Sequence, residues 1–372
     1  MVDTAMATSD ADSEGLRLRM ATRIANEMRD ERLETYSQAL IHLVSRLIAL
    51  LTFQRLQLGA FGVSLTMFLL LWLATAAMAL ASQDLASSEA LPTVALHAWA
   101  AAVAVLQLRS SSFFAELLKE TLSGSIVTSL RDPRDMRDAL SWLRLTFNRR
   151  RQLYFCLAIS ALATPASMFG LVLADHSDWV NGGSVLLALL GWFLGATGWY
   201  FLIPGVALSS RLRRYELSLF EADPANSQVV RSICSMMHSA LFVSAAIATL
   251  FTTGIFLIAP GNLQLQISFS VVCAWGPLLF TMTYYQYSLA VVIRRTKARV
   301  LMPLERTLAA AQKDVLTKDS TQVERLGKLM DMHRRILVTS NTALDWRGSF
   351  ATVNTLLLPL ASFAVVQLAK LG

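Results

Sequence analysis

The chain has 372 residues, of which 54% are hydrophobic and only 16% are charged, and its mean hydropathy is +0.48. Soluble domains carry roughly a quarter charged residues, so this composition argues against a soluble enzyme. The net charge of +7 alone would suit a nucleic-acid partner, but its distribution along the chain argues for a membrane and against nucleic acid.

The N-terminal region is the first predicted element. Residues 1–15 are expected to form a disordered tail, because they are polar and lack the basic and apolar parts of a signal peptide. Residues 16–58 are expected to form one long amphipathic helix in the cytoplasm or at the membrane interface. Within it, residues 39–53 are apolar but short and contain His42 and Arg46, so we do not count them as a span.

Seven apolar runs without Asp, Glu, Lys or Arg follow, each close to the roughly 20 residues that cross a bilayer as a helix. They cover residues 59–81, 91–108, 153–174, 184–209, 240–258, 265–292 and 350–369. A charged residue at mid-membrane costs about 2.5–3.5 kcal/mol, so this segregation is not expected by chance. The sequence therefore predicts an all-α fold, a polytopic transmembrane helical bundle of about seven spans with a helical cytoplasmic layer.

Lys and Arg define the predicted topology, because 32 of the 33 lie in four segments and the exception is Lys370. The four segments are residues 1–58, 109–152, 210–239 and 293–349. The short loops between the paired runs contain neither Lys nor Arg. The positive-inside rule then places the N-terminus in the cytoplasm and the C-terminus outside. Three membrane hairpins, 59–108, 153–209 and 240–292, precede a seventh span at 350–372.

The basic segments predict the cytoplasmic helices. Asp132-Pro133 and Asp223-Pro224 each supply an N-cap and a first-turn proline. In residues 293–349, two apolar stripes separated by a turn predict an antiparallel helical hairpin. We expect these stripes to contact a protein partner or a second copy of the chain. The predicted interface residues are Leu304, Leu308, Val315, Leu326, Met330, His333 and Leu337.

Few residues within the predicted spans suggest chemistry. His97 is the candidate for binding a solute or carrying a proton, with packing as the alternative. Three glycines at small-residue spacing allow close helix packing, or they line a solute path. Prolines interrupting spans can mark a transporter site, although they are also ordinary in membrane helices. The predicted lining of a pore or cavity comprises His97, Gly191, Gly195, Gly198, Pro277, Gln286 and Pro359.

Motifs for catalysis or cofactor binding are not found in the sequence. Cys156, Cys234 and Cys273 are scattered and form no CxxC pair, and the five histidines are also dispersed. Walker A, HExxH and GxSxG patterns are absent. We therefore predict no catalytic residue, no metal site and no cofactor, and we do not expect an enzyme.

Two C-terminal stretches carry a family resemblance. One is Tyr215–Phe220 followed by Asp223-Pro224, and the other spans Leu329, His333, Ile336, Thr339, Asp345-Trp346 and Leu358-Pro359-Leu360. They resemble a group of uncharacterised bacterial polytopic membrane proteins with a cytoplasmic helical hairpin before the last span. The resemblance covers about the C-terminal half and departs at residues 340–344. It implies a bacterial plasma or inner membrane location and no particular activity.

Three functions stay open from the sequence. The first is a non-enzymatic assembly, scaffold or signalling component that contacts lipids through its spans and a partner, or its own copies, through its cytoplasmic helices. The second is a channel or carrier for a neutral or apolar solute. The third is an intramembrane lipid-modifying enzyme, which would need polar groups that converge on a cavity.

Overall fold

The computed structural model describes residues 2–30, 34–51, 60–82, 90–173, 182–220, 223–258, 274–314 and 320–339. The helices in this part of the chain are α1 Val2–Asp30, α2 Tyr36–Leu51, α3 Ala60–Ser82, α4 Ala90–Thr121, α5 Pro133–Thr146, α6 Arg149–Leu173, α7 Gly182–Leu212, α8 Gln228–Ile258, α9 Gly276–Asp314 and α10 Ser320–Val338. A π-helical turn, Leu122–Ile126, and a last turn, Val127–Ser129, extend α4. Extended pairing within the described residues is limited to an isolated bridge between Leu130 and Leu217. The predicted all-α class is therefore confirmed.

Within the described residues, five helices are long and apolar enough to cross a membrane. The segments are Phe61–Ala81 in α3, Val94–Ser129 in α4, Arg149–Gly170 in α6, Gly182–Leu212 in α7 and Gln228–Gly254 in α8. They coincide with the first five predicted apolar runs. The sixth run continues into α9 at Gly276, whereas the seventh, at 350–369, lies outside the described residues.

Consecutive apolar helices meet as antiparallel hairpins. Trp72 Nε1, late in α3, donates to the carbonyl oxygen of Val94, early in α4, at 3.1 Å. Trp275 Nε1, just before α9, donates to Thr252 Oγ1 near the end of α8 at 3.0 Å. At Gly183 in α7 a Cβ atom would lie 2.4 Å from a backbone nitrogen of α3, so glycine permits this close backbone approach.

A helical layer formed by α1, α5 and the end of α4 covers the basic ends of the apolar helices. Met28 of α1, Leu118 of α4 and Met136 of α5 are buried in one hydrophobic cluster. Asp132 caps α5, because its side chain accepts a hydrogen bond from the backbone N–H of Arg134 at 2.8 Å. The N-cap and proline signal in the sequence thus marks where α5 begins.

The N-terminal region differs from the sequence prediction in two ways. The expected disordered tail of residues 1–15 is instead helical from Val2, consistent with the helix propensity of its alanines. The single helix expected for residues 16–58 is interrupted before Tyr36, so α1 and α2 are separate. The backbone N–H of Gln38 donates to Thr35 Oγ1 at 3.2 Å, and the backbone N–H of Thr35 donates to Gln38 Oε1 at 3.0 Å. This reciprocal capping box starts a new helix.

The α9 helix continues beyond the apolar part, through its basic residues and past Pro303. The α10 helix returns antiparallel to it. His333 Nε2 lies 3.4 Å from Glu305 Oε1, and Lys297 Nζ donates to the carbonyl oxygen of Thr339. The end of α10 is therefore held beside the first basic turns of α9.

Candidate binding cavity between four helices

A cavity of about 130 Å³ lies between α4, α7, α8 and α9. Its walls come from residues 107–114, 192–205, 237–251 and 274–281. The volume is close to the roughly 150 Å³ of an apolar cavity that accommodates benzene, and it is below the 300–1,000 Å³ typical of drug-sized pockets. Its size therefore suits a small molecule or one end of a longer apolar chain.

The lining of the cavity is mostly apolar, with a few neutral polar groups. The aromatic members are Phe113, Phe114, Trp192, Trp199, Phe201 and Phe251, and the polar members are Gln107, Ser110, Ser111, Ser244 and Thr281. None of the described lining residues is charged or a cysteine. Hydroxyl and amide groups in an apolar wall orient a neutral ligand by hydrogen bonding, and they offer no acid–base pair for catalysis.

Gln107 is a lining residue whose amide oxygen the fold leaves without a partner. Its Oε1 atom is buried and has no hydrogen-bond partner among the described residues. A Cβ atom at Gly195 would lie 2.9 Å from this oxygen, so glycine provides the space that the amide occupies. A buried polar atom without a partner costs about 1–3 kcal/mol.

The end of the cavity at Ser111 is joined to α2 by a line of buried hydroxyls. Thr35 Oγ1 lies 2.9 Å from Ser37 Oγ, which lies 3.1 Å from Ser111 Oγ in the cavity wall. The backbone N–H of Tyr36 also donates to Gln152 Oε1 of α6 at 2.6 Å. The start of α2 is therefore fixed to α4, which lines the cavity, and to α6.

The structure brings only part of the predicted lining to this cavity. Gly198 and Pro277 line it, and Gly195 lies directly behind Gln107. The other predicted members are placed elsewhere: a Cβ at Gly191 would meet nothing within 4 Å, and Gln286 is buried away from the cavity. Pro359 lies outside the described residues.

His97 is fully buried but does not line the cavity. It shares one face of α4 with Ala101 and Ala104, which pack against α3 and α7. Neither ring nitrogen has a hydrogen-bond partner among the described residues. Its position in a helix–helix contact favours the packing interpretation over a proton-carrying role.

The α9–α10 hairpin buries part of the predicted partner interface and leaves another part exposed. Leu304, Leu308, Leu326 and His333 are half-buried and face the interior of the α9–α10 pair, whereas Val315 lies outside the described residues. Met330 and Leu337 remain 59% and 55% exposed. The helices use one side of the stripe to pack together and leave the other side open.

A second polar cluster joins the helical layer of α1, α5 and the end of α4 to the end of α7. Arg211, at the end of α7, pairs with Asp138 of α5, and Tyr215 Oη donates to the same carboxylate at 2.7 Å. The Arg211 guanidinium also lies 6.0 Å from the ring centroid of Trp142. These contacts fasten α5 to the end of α7. Their role is structural.

Together these features define a class of protein: a helical bundle with five helices suited to a membrane and a small neutral cavity between four of its helices. Within the described residues, no group of three or more His, Cys, Asp or Glu side chains could hold a metal ion. No family model, curated protein or solved structure matches the chain. The resemblance of its C-terminal half to a bacterial membrane protein family stays a prediction.

Proposed function

We propose that the chain is a multi-pass protein of the bacterial plasma membrane with seven spans, an inner N-terminus and an outer C-terminus. The apolar helices support insertion, because large apolar side chains such as Phe61 and Leu162 are 80% and 74% exposed on their outer faces. Hydrocarbon solvates such surfaces and water does not. The bond between Lys297 and Thr339 supports the seventh span, since it returns the chain to the bundle before the apolar run 350–369.

We propose that this protein binds a small, neutral, mostly apolar molecule in the four-helix cavity and acts as its carrier. The observation that carries this proposal is a small, mostly apolar cavity whose few polar lining groups are all neutral. A ligand of about benzene size with one hydroxyl would match both the volume and these hydroxyl and amide groups. The cavity thus favours the carrier hypothesis over assembly alone.

Binding is tested with benzyl alcohol as the probe, on the full chain in a maltoside detergent. We expect the alcohol to raise the melting temperature and to quench tryptophan fluorescence, because Trp192 and Trp199 line the cavity. The substitution Ser244→Phe fills the cavity and should abolish both effects. The matched control is Thr253→Phe on the exposed face of α8, which should retain them. Equal responses from the two variants would disprove binding at this site.

Transport is tested by stopped-flow swelling of proteoliposomes with 1,2-propanediol and 1,4-butanediol, which are small and neutral. We expect faster swelling than in protein-free liposomes and a return to the protein-free rate with Ser244→Phe. If benzyl alcohol binds but no diol flux is measured, the cavity is a binding site and the carrier proposal is wrong.

A second candidate function is assembly through the α9–α10 hairpin, which the exposed Met330 and Leu337 favour. Around them α10 carries the i,i+4 ion pairs Glu324–Lys328 and Asp331–Arg335, so both signs of charge alternate along the helix. A surface with both charges is self-complementary under a two-fold axis, which fits a second copy of the chain. We expect Met330→Glu with Leu337→Glu to convert an oligomer in mild detergent into a monomer, measured by light scattering. A mass unchanged from wild type would count against this function.

A further inference from the structure

Two arginine-rich segments meet where the apolar helices end. They are the end of α7, with Arg211, Arg213 and Arg214, and the extension of α9, with Arg294, Arg295 and Arg299. Arg211 is paired with Asp138, and Arg299 is paired with Glu216 at 2.6 Å. These two charges are neutralised within the protein.

Arg213 and Arg295 are arranged differently. Arg213 Nη2 donates to Tyr284 Oη at 2.5 Å, and its guanidinium lies 5.2 and 5.7 Å from the ring centroids of Tyr284 and Tyr287. Arg295 Nη1 donates to the backbone carbonyl oxygen of Arg213 at 3.2 Å. Neither arginine has a carboxylate partner among the described residues.

The two arginines are therefore in direct contact through the Arg213 backbone, and neither guanidinium charge is compensated by a carboxylate of the described residues. Each guanidinium has five N–H donors, and the hydrogen bonds above use one from each. An arginine without a carboxylate partner attracts an anion, and its planar fork matches the oxygens of a phosphate. The remaining donors are available to such a ligand.

The tyrosines indicate where this anion lies. Tyr287 is 58% exposed on the outside of the bundle, and Tyr284 is half-buried beside it. Arg295 follows Tyr284 by three helical turns and lies on the same side of α9. Tyrosine rings are enriched where acyl chains meet headgroups, and arginines extend from that level into the headgroup layer. The arrangement combines an apolar contact with a phosphate contact.

We infer that Arg213 and Arg295, with Tyr284 and Tyr287, form a binding site for the phosphate of an anionic phospholipid at the inner end of α7 and α9. The inference rests on the proposed membrane insertion, and it is independent of the ligand in the cavity. The group that the arginines would bind is a phosphate. It could come from a lipid headgroup or from free inorganic phosphate, and the test distinguishes the two.

The test measures binding of dioctanoyl phosphatidylglycerol and dioctanoyl phosphatidylcholine to the full chain in detergent, by native mass spectrometry. We expect the wild type to bind the anionic lipid about tenfold more tightly than the zwitterionic one. The double variant Arg213→Gln, Arg295→Gln should lose that preference. The control Arg306→Gln, Arg334→Gln makes the same charge change on exposed hairpin positions and should retain it.

Three outcomes would overturn the inference. They are unchanged preference in the Arg213→Gln, Arg295→Gln variant, equal loss in the control, and binding of inorganic phosphate as tight as that of phosphatidylglycerol. The variant Arg213→Lys, Arg295→Lys keeps both charges, so it covers the case in which the glutamine variant does not fold. We expect it to prefer phosphatidylglycerol while binding it several-fold more weakly, and unchanged affinity would contradict a role for the guanidinium geometry.

Discussion

Gly254 in α8 provides the space that the ring of Trp99 in α4 occupies. A Cβ atom at Gly254 would lie 1.9 Å from indole carbon atoms, and Trp99 Nε1 donates to the carbonyl oxygen of Leu250 at 2.9 Å. We predict that Gly254→Ala displaces the indole and breaks this bond. The expected cost is about 2–3 kcal/mol in the free energy of unfolding, because overpacking and a lost hydrogen bond add. Thermal and denaturant unfolding in detergent measure it.

The matched control for that prediction is Gly191→Ala in α7, where a Cβ atom would meet nothing within 4 Å. Alanine is favoured over glycine inside a helix by up to about 1 kcal/mol, so we expect neutral or slightly increased stability. If both alanine variants behaved alike, the contact between Trp99 and Gly254 would not contribute as described.

Asp138 makes the stability of the helical layer of α1, α5 and the end of α4 depend on pH. Burial raises the pKa of Asp138, but the hydrogen bonds from Arg211 and Tyr215 outweigh it and hold the pKa below its ordinary value. A lowered pKa in the folded state means that the charged carboxylate stabilises the fold above the unfolded pKa of about 3.9. That contribution is lost as the pH falls through the lower pKa of the folded protein.

We therefore predict that Asp138→Asn destabilises the protein by about 1 kcal/mol at pH 7, a value reduced for the partial exposure of the pair. The difference between variant and wild type should be constant from pH 6 to 8 and should shrink below about pH 4. Unfolding curves at several pH values measure it. Asp331→Asn, which breaks the exposed i,i+4 pair with Arg335, is the control and should cost less than about 0.5 kcal/mol.

Lys297 connects α9 with the end of α10. The residue is only 5% exposed, and its ammonium group donates to the carbonyl oxygen of Thr339. Burial lowers the pKa of Lys297, and the charge of Asp223 partly offsets that effect. We predict that Lys297→Met keeps the aliphatic packing but frees the last turn of α10. A lost charged hydrogen bond of about 1.5–3 kcal/mol corresponds to at least tenfold faster local opening, which hydrogen exchange of residues 333–339 measures.

The control for the hairpin is Lys328→Met, which removes an exposed i,i+4 pair with Glu324. Exchange at residues 333–339 should not change in this variant, because the pair contributes little and lies more than a turn away. Equal acceleration in both variants would show that general loss of charge on the hairpin, rather than the Thr339 contact, controls opening.

The break between α1 and α2 shows what a short sequence motif could have predicted. Apolar periodicity runs on both sides of Thr35, so it suggests one helix. The motif Thr35-Tyr36-Ser37-Gln38 has the spacing of a capping box and would have marked the second helix start. That signal was available in the sequence and was outweighed by the apolar pattern.

The topology of the whole chain gives a direct prediction. In a variant without native cysteines, thiols introduced by Glu89→Cys and Asp178→Cys should react with an impermeant maleimide on intact spheroplasts. Lys328→Cys should react only after permeabilisation. A thiol at Gly372→Cys discriminates seven spans from six, because it should label from outside only if residues 350–369 cross the membrane. Labelling of Lys328→Cys from outside would disprove the inner N-terminus.

The candidate site was predictable only in part. Gly195, Gly198 and Pro277 follow from small-residue spacing and helix breakers, and they do lie at or beside the cavity. Gln107 carries no local signal, since a glutamine near the end of an apolar run is ordinary in sequence. Its importance comes from the facing glycine on α7, nearly 90 residues later, and only packing brings the two together.

The sequence by itself determined the helical class and the apolar segments, because charge segregation and the roughly 20-residue length of the runs are local properties governed by hydrocarbon solvation. The N-cap at Asp132 likewise depends only on residues that are neighbours in the sequence. The tertiary structure decided which side chains meet: Trp99 with Gly254, Arg213 with Tyr284, and four helices around a cavity. These pairings depend on helix rotation and on the fit of distant side chains, and the periodicity of one helix does not specify which neighbour its face will contact.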